Sequence, residues 1–265
     1  MNSSSVWKTL RQEADAVTKS EPLLASYVYA CVLNHNSFEA CLSFFLSNKI
    51  ADSVMPSMAI RELFQDAYRS CPDIINYAQH DLCAVFERDP AICSMLTVLL
   101  NLKGYQAIQS HRLAHCLWNS RRKELAMFIQ SRNSEVFGVD IHPASRIGKG
   151  VMFDHATGIV VGETAVIEDD VSILQQVTLG GTGNETGDRH PKVRSGVLIG
   201  AGAKVLGNIE IGQGAKVGAG SVVLEDVPPH TTVVGVPAAV VGKPDCDCPS
   251  QTMEQNVYTD GFDCP

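Results

Sequence analysis

No apolar run in this sequence approaches the ~20 residues that a membrane span requires. No basic segment followed by an apolar stretch opens the chain, where Ser3, Ser4 and Ser5 precede Val6, Trp7 and Lys8. Neither a membrane partner nor a secretory leader is expected. Clustered positive charge is also missing: 21 Lys and Arg stand against 29 Asp and Glu, for a formal net charge of −8. Phosphate backbones are held by grouped Lys and Arg, so no nucleic-acid partner is expected. A disulfide framework is absent too, because the nine cysteines are an odd number with no regular spacing. Most occupy apolar faces of expected helices, where a free thiol behaves as a small hydrophobe. A reducing cytoplasm is the compartment these features predict. Cys246 and Cys248 flank Asp247, but further ligands of the kind zinc takes do not accompany them, and no metal is expected.

What is present divides into two halves with different periods. The 265 residues, 45% hydrophobic and 19% charged, suffice for two modest domains. From about Trp7 to Phe137 apolar residues recur at helical spacing, and several starts carry caps. Ser37 precedes Phe38, Cys41 and Leu42; Pro72 opens a segment with Ile74, Ile75 and Ala78. Asp89-Pro90 reads as an N-cap followed by a first-turn proline, and Gly104 as punctuation before the amphipathic run 111–118. A helical bundle is the expectation for residues 1–138.

After Gly138 a six-residue period takes over, aliphatic at the first position and small or β-branched at the fifth. Ile141, Ile147 and Phe153 begin the first hexads; Val161, Ile167, Ile173 and Leu179 begin the next; Val193, Ile199, Val205, Ile211, Val217 and Val223 complete the series. Such repeats mark a parallel β-helix. Each hexad is a short strand and a turn, three hexads close a triangular coil, and first and fifth positions stack inward in columns. The β-helix is expected over residues 139–243, with a tail over 244–265.

Two interruptions break this period. The second ejects a polar loop, 185–192, that includes Asp188, Arg189 and His190 and is anchored at both ends by rigid strands. Loops held in that way are a common source of binding groups. The first interruption follows Asp154-His155. A regular coil would stack Asp140 on Gly158, around the same corner as His155. A carboxylate there would fix the tautomer of an imidazole that accepts a proton from an alcohol. A turn-capping Asp and an exposed His fit the same spacing.

The runs Asp140-Ile141-His142-Pro143, Asp154-His155-Ala156-Thr157-Gly158, Leu179-Gly180-Gly181-Thr182-Gly183, Gly187-Asp188-Arg189-His190-Pro191 and Gly235-Val236-Pro237-Ala238 resemble those of the bacterial serine acetyltransferases, within the hexapeptide-repeat acyltransferases. Ile60-Arg61-Glu62 and Arg88-Asp89-Pro90 extend the resemblance through the helical half. The resemblance implies an α+β chain whose β-helix is left-handed, and acetyl transfer from acetyl-CoA to L-serine with no acyl-enzyme. His155 would be the general base and Asp140 its orienting partner. Asp89 and Asp154 would meet the serine ammonium, and Arg189, beside His190, its carboxylate. Gly180, Gly181, Ala201 and Ala219 would line the acetyl-CoA groove. It further implies a dimer of trimers with sites shared between subunits, feedback inhibition by L-cysteine, and a tail that docks O-acetylserine sulfhydrylase through a terminal isoleucine. This sequence ends Cys264-Pro265 instead, which puts that complex in doubt.

Three other readings compete with it. Another hexapeptide acyltransferase would use a sugar hydroxyl as acceptor. A zinc carbonic anhydrase would need three converging imidazoles, for which His142, His155 and His190 are the candidates in this region. A non-enzymatic scaffold would have no use for His155 paired with Asp140.

Overall fold

In the computed structural model, residues 3–183 and 186–257 are described; Glu185 of the ejected loop, Cys264 and the chain end lie outside them. The helical half runs α1 (Ser3–Ser20), a 3-10 turn (Pro22–Leu24), α2 (Ala25–Val28), a π turn (Tyr29–Leu33), α3 (Phe38–Ile50), α4 (Ser57–Ser70), α5 (Asp73–Arg88), α6 (Met95–Asn101), α7 (Lys103–Asn119) and α8 (Lys123–Phe137). Ser37 caps α3 as its sequence predicts, its hydroxyl accepting from Ala40 N at 3.2 Å. Gly138 ends α8 in the left-handed region at φ 67°, the usual glycine stop.

The strands that follow are short and wind into three sheets. The first carries β1 (Asp140–Ile141), β4 (Val160–Val161), β7 (Thr178–Gly180), β10 (Lys204–Leu206) and β13 (Val222–Val223). The second carries β2 (Arg146–Ile147), β5 (Val166–Ile167), β8 (Lys192–Val193) and β11 (Glu210–Ile211). The third carries β3 (Met152–Phe153), β6 (Ser172–Ile173), β9 (Leu198–Ile199), β12 (Lys216–Val217), β14 (Thr232–Gly235) and β15 (Ala238–Gly242). Neighbours pair in parallel apart from β14 with β15. From β1 to β13 every third strand lies in the same sheet, so each turn between those strands becomes a corner of a triangular prism.

The hexad first positions form the inward columns. Ile141, Val161, Leu179, Val205 and Val223 stack along the first sheet, Ile147, Ile167, Val193 and Ile211 along the second, and Phe153, Ile173, Ile199 and Val217 along the third. These side chains join those of the helices in one buried cluster. Burial at roughly 25 cal/mol per Å² makes these columns the main cohesive term of the solenoid.

Three local expectations are corrected. Asp140 pairs with Val160 rather than stacking on Gly158. The two extra residues are absorbed at the corner around His155, where Gly158 N donates to Gly138 O at 2.7 Å. Asp89 is not a helix N-cap: it follows α5, and its Oδ1 accepts from Ala91 N at 2.9 Å in a turn. The next helix, α6, is instead capped by Ser94, whose hydroxyl accepts from Thr97 N at 3.1 Å. Gly104 lies inside α7 and does not punctuate. A Cβ there would stand 1.9 Å from Phe153 O, so glycine lets α7 press against the β-helix.

Buried polar contacts join the halves. Arg112 of α7 donates to Asp81 of α5 at 2.6 Å and to Ile147 O and Gly148 O, at 3.0 and 2.7 Å. Asp81 in turn accepts from Val151 N at 3.0 Å. Both charges are almost wholly removed from water, and hydrogen bonds on all sides compensate that transfer. The tail returns over the third sheet, with Ser172 Oγ donating to Ser250 O at 2.9 Å and Lys216 Nζ to Glu254 O at 3.3 Å.

Candidate active site

The predicted residues fall at two corners of the prism. His155 lies between the third and first sheets, just after β3, at φ 53°, and Ala156 follows at φ 62°. Two successive non-glycine residues in the left-handed region are strained, a condition concentrated at functional sites. The helical half braces this turn: Lys103 Nζ donates to Thr157 Oγ1, and the Gly104 backbone packs on Phe153 O. The His155 side chain is 76% exposed, with Nε2 4.0 Å from Asp154 Oδ1.

Asp154 is the electrostatic centre of this corner. Burial raises its pKa above the ordinary carboxylate value; nearby His155 opposes the rise and the Asp89 carboxylate adds to it. Asp89 thus comes within electrostatic reach from the turn after α5. The Asp89 charge opposes ionisation of the half-buried Asp154, and a cation placed near Asp154 would relieve that repulsion.

Asp140 stands at the start of the first sheet, beside the same corner. Its Oδ1 accepts from Gln130 Nε2 of α8 at 2.6 Å. The sequence reading missed Gln130, and nothing in the pattern of α8 distinguishes it from any other polar residue on a helix. Ala201 and Ala219 lie higher on the His155 corner. The register that aligns Ile173, Ile199 and Val217 sets Gln175, Ala201 and Ala219 in one column, and beneath it the two inserted residues bring Thr157, not His155, under Gln175, with Gln176 N donating to Thr157 O at 2.8 Å.

Arg189 and His190 occupy the other end of the first sheet, at its corner with the second. Arg189 donates to Glu163 Oε2 at 2.8 Å, a bond that holds the Glu163 carboxyl below its usual range. Thr164 Oγ1 accepts from the backbone of Arg189 at 3.0 Å and of His190 at 3.1 Å. His190 Nδ1 accepts from Thr164 N at 3.2 Å and lies 2.9 Å from Thr164 Oγ1. With Nδ1 an acceptor, the neutral ring carries its proton on Nε2. Burial, with Arg189 beside it, lowers the His190 pKa and favours that neutral form. The ring sits on Gly162, where a Cβ would stand 2.0 Å from its Cδ2. Glu163 and Thr164 belong to the repeat but were given no role from sequence. Gly180 ends β7, and Gly181 follows at the Arg189 corner.

Within one chain, the base candidate with its two acids and the Arg189–His190 pair are therefore separated by the width of a sheet. Of the carbonic anhydrase set, His142 lies at the Arg189 corner, its ring 5.0 Å from Trp118, while His155 lies at the other. Among the described residues no group of three or more His, Cys, Asp or Glu could hold a metal ion.

Stacked hexapeptide coils behind a helical half, with an exposed histidine at a break in the repeat, are the arrangement of a hexapeptide-repeat acyltransferase. Residues 6–110 match the model of the serine acetyltransferase N-terminal region, and residues 190–225 match bacterial transferase hexapeptide repeats. The chain is 59% identical over 251 residues to the serine acetyltransferase of Salmonella typhimurium, an alignment covering 95% of this chain and 92% of the relative. It superposes on the Vibrio cholerae serine acetyltransferase crystal structure with a TM-score of 0.95 at 55% identity, covering 96% of this chain and 99% of that one. A serine acetyltransferase solved in complex with cysteine matches at a TM-score of 0.95 and 54% identity, over 97% of this chain and 100% of the other. The Brucella abortus serine acetyltransferase in complex with coenzyme A matches at 0.90 and 48% identity, over 91% and 97%. The chain belongs to the serine acetyltransferase family, and its β-helix is the left-handed one.

Proposed function

We propose that this chain acetylates the hydroxyl of L-serine by direct attack on acetyl-CoA, with His155 as general base. One observation carries the residue assignment: half-buried Asp154, within electrostatic reach of Asp89, stands beside an exposed His155, so that an ammonium group is the species this corner favours. Held between the two carboxylates, serine presents its hydroxyl to the imidazole. His155 takes the hydroxyl proton as the oxygen attacks the thioester carbonyl, and the tetrahedral intermediate expels CoA thiolate, which recovers that proton from the imidazolium. Asp140, gripped by Gln130, supports the ring from the β1 side. The pantetheine arm of acetyl-CoA would lie in a groove between neighbouring β-helices, past Ala201 and Ala219 of one copy and Gly180 and Gly181 of the next.

The serine carboxylate needs a cation, and Lys103 at this corner is engaged with Thr157 Oγ1. Arg189 suits it, because a guanidinium pairs with a carboxylate through two parallel hydrogen bonds. It would come with His190 from the equivalent corner of a neighbouring copy, as in a trimer whose subunits meet across their first sheets; two such trimers would join through the helical halves. Residues 1–138 then serve assembly, 139–243 catalysis and 244–265 a tail. L-cysteine shares the ammonium and carboxylate of serine, so the same groups would hold it as an inhibitor. Work in the cytoplasm fits the free thiols, and no helix among the described residues is long and apolar enough to cross a membrane.

The direct test is an acceptor panel with acetyl-CoA, read by release of CoA thiol. L-serine is expected to turn over and galactosides to stay at background. Turnover of a sugar without turnover of serine would replace this reading with the alternative acceptor.

A further inference from the structure

Two cysteines far apart in sequence meet outside the acyl-transfer corners. Cys71 terminates α4, and Cys116 lies in the last turn of α7; their sulfurs are 3.0 Å apart. The pair lines a cleft of about 750 Å³ between the helices and the second sheet, walled also by Tyr77, His111, Arg146 and Asp169. Cys71 is partly exposed, whereas Cys116 is buried. Ser70 Oγ is 3.6 Å from the Cys116 sulfur. Burial, with the Cys71 thiol beside it, pushes the Cys116 thiol up to about 11. The cleft therefore presents one thiol that a small solute can reach and a second, protonated thiol directly behind it.

We propose that Cys71 and Cys116 form a peroxide-reactive dithiol, a modification site that closes to an intramolecular disulfide. The Cys71 thiol gives its proton to solvent, and the thiolate attacks one oxygen of a hydroperoxide and breaks its O–O bond; with hydrogen peroxide this leaves a sulfenic acid on Cys71 and a hydroxide that takes up the released proton as water. The Cys116 sulfur then attacks the Cys71 sulfur, the S–O bond breaks, and the Cys116 proton leaves with the hydroxyl as a second water. Two thiols are oxidised by two electrons and one peroxide is reduced. Closure needs the sulfurs to approach by only about 1 Å. A dithiol reductant reverses it.

The test treats the full chain, folded and in buffer, with hydrogen peroxide, blocks remaining thiols, and maps cysteines by mass spectrometry without reduction. The expected product is a peptide joining Cys71 to Cys116, lighter by two hydrogens and lost on reduction. The exposed Cys93 serves as the internal measure of oxidant dose. In Cys116→Ser, oxidation is expected to stop at a Cys71 sulfenic acid that a dimedone probe traps; in Cys71→Ser, Cys116 is expected to stay unlabelled. Free Cys71 and Cys116 in wild type at a dose that oxidises Cys93 would overturn the proposal, as would a linkage that forms only after denaturation.

Discussion

Asp154 carries the clearest conflict between stability and function. Its pKa is raised in the fold by burial, and the Asp89 carboxylate adds to the rise. Relative to an unfolded carboxylate near pKa ~3.9, the folded chain holds this proton more tightly. Stability associated with Asp154 is therefore lost as pH rises from about 4 through the raised value, and it stays lost above it. Asp154→Asn removes that penalty. In urea melts without serine, the variant is expected to gain on wild type as pH rises across this window, with a constant advantage above it. Its KM for serine is expected to rise by about tenfold or more, from loss of a charged partner worth roughly 1.5–3 kcal/mol. An advantage that shrinks with rising pH would contradict the assignment.

Among the elements, α7 sets the position of the His155 turn. Its first residues touch that turn through Lys103 and Gly104, and Arg112 further along ties it to the β2 end of the same coil. Gly104→Ala puts a methyl group 1.9 Å from a backbone oxygen, which side-chain rotation cannot relieve. The expected result is a loss of about 1–3 kcal/mol in denaturant unfolding, with kcat falling more than serine KM rises because the His155 turn is displaced. Unchanged stability would mean that helix and turn are not in this contact.

How far these elements were legible follows from which interactions repeat. The hexad period exposes every inward column, since each first position must be aliphatic for the coils to stack. The ejected loop and Asp154-His155 stand out because they interrupt that period. Where the two-residue insertion goes is not written in the period: a corner absorbs it without moving Ile141 off Val161, which is why Asp140 meets Val160. Gln130 and Glu163 are single polar contacts between distant segments, and no local pattern announces them. Asp89 precedes a proline, a spacing shared by helix caps and by the turn it forms.

For the whole molecule, one chain carries His155 and Arg189 at opposite ends of the strands of its first sheet, and the proposed function needs both at one substrate. If a neighbouring copy completes each site, two inactive variants complement each other. Arg189→Ala and His155→Asn homo-oligomers are each expected to be inactive, and dissociating and reassembling them together is expected to restore about a quarter of wild-type activity, given random assembly of equal amounts and independent sites. No recovery in verified mixed oligomers would contradict a site shared between His155 of one copy and Arg189 of another.

The most direct measurement compares CoA thiol release from acetyl-CoA and L-serine by wild type and His155→Asn. Asparagine tolerates the left-handed backbone at this position, so the turn is kept while the basic nitrogen is lost. The account predicts a kcat lower by roughly 10²–10⁴-fold, with the unfolding midpoint unchanged within a few degrees. A near-normal kcat in the folded variant would contradict His155 as the base.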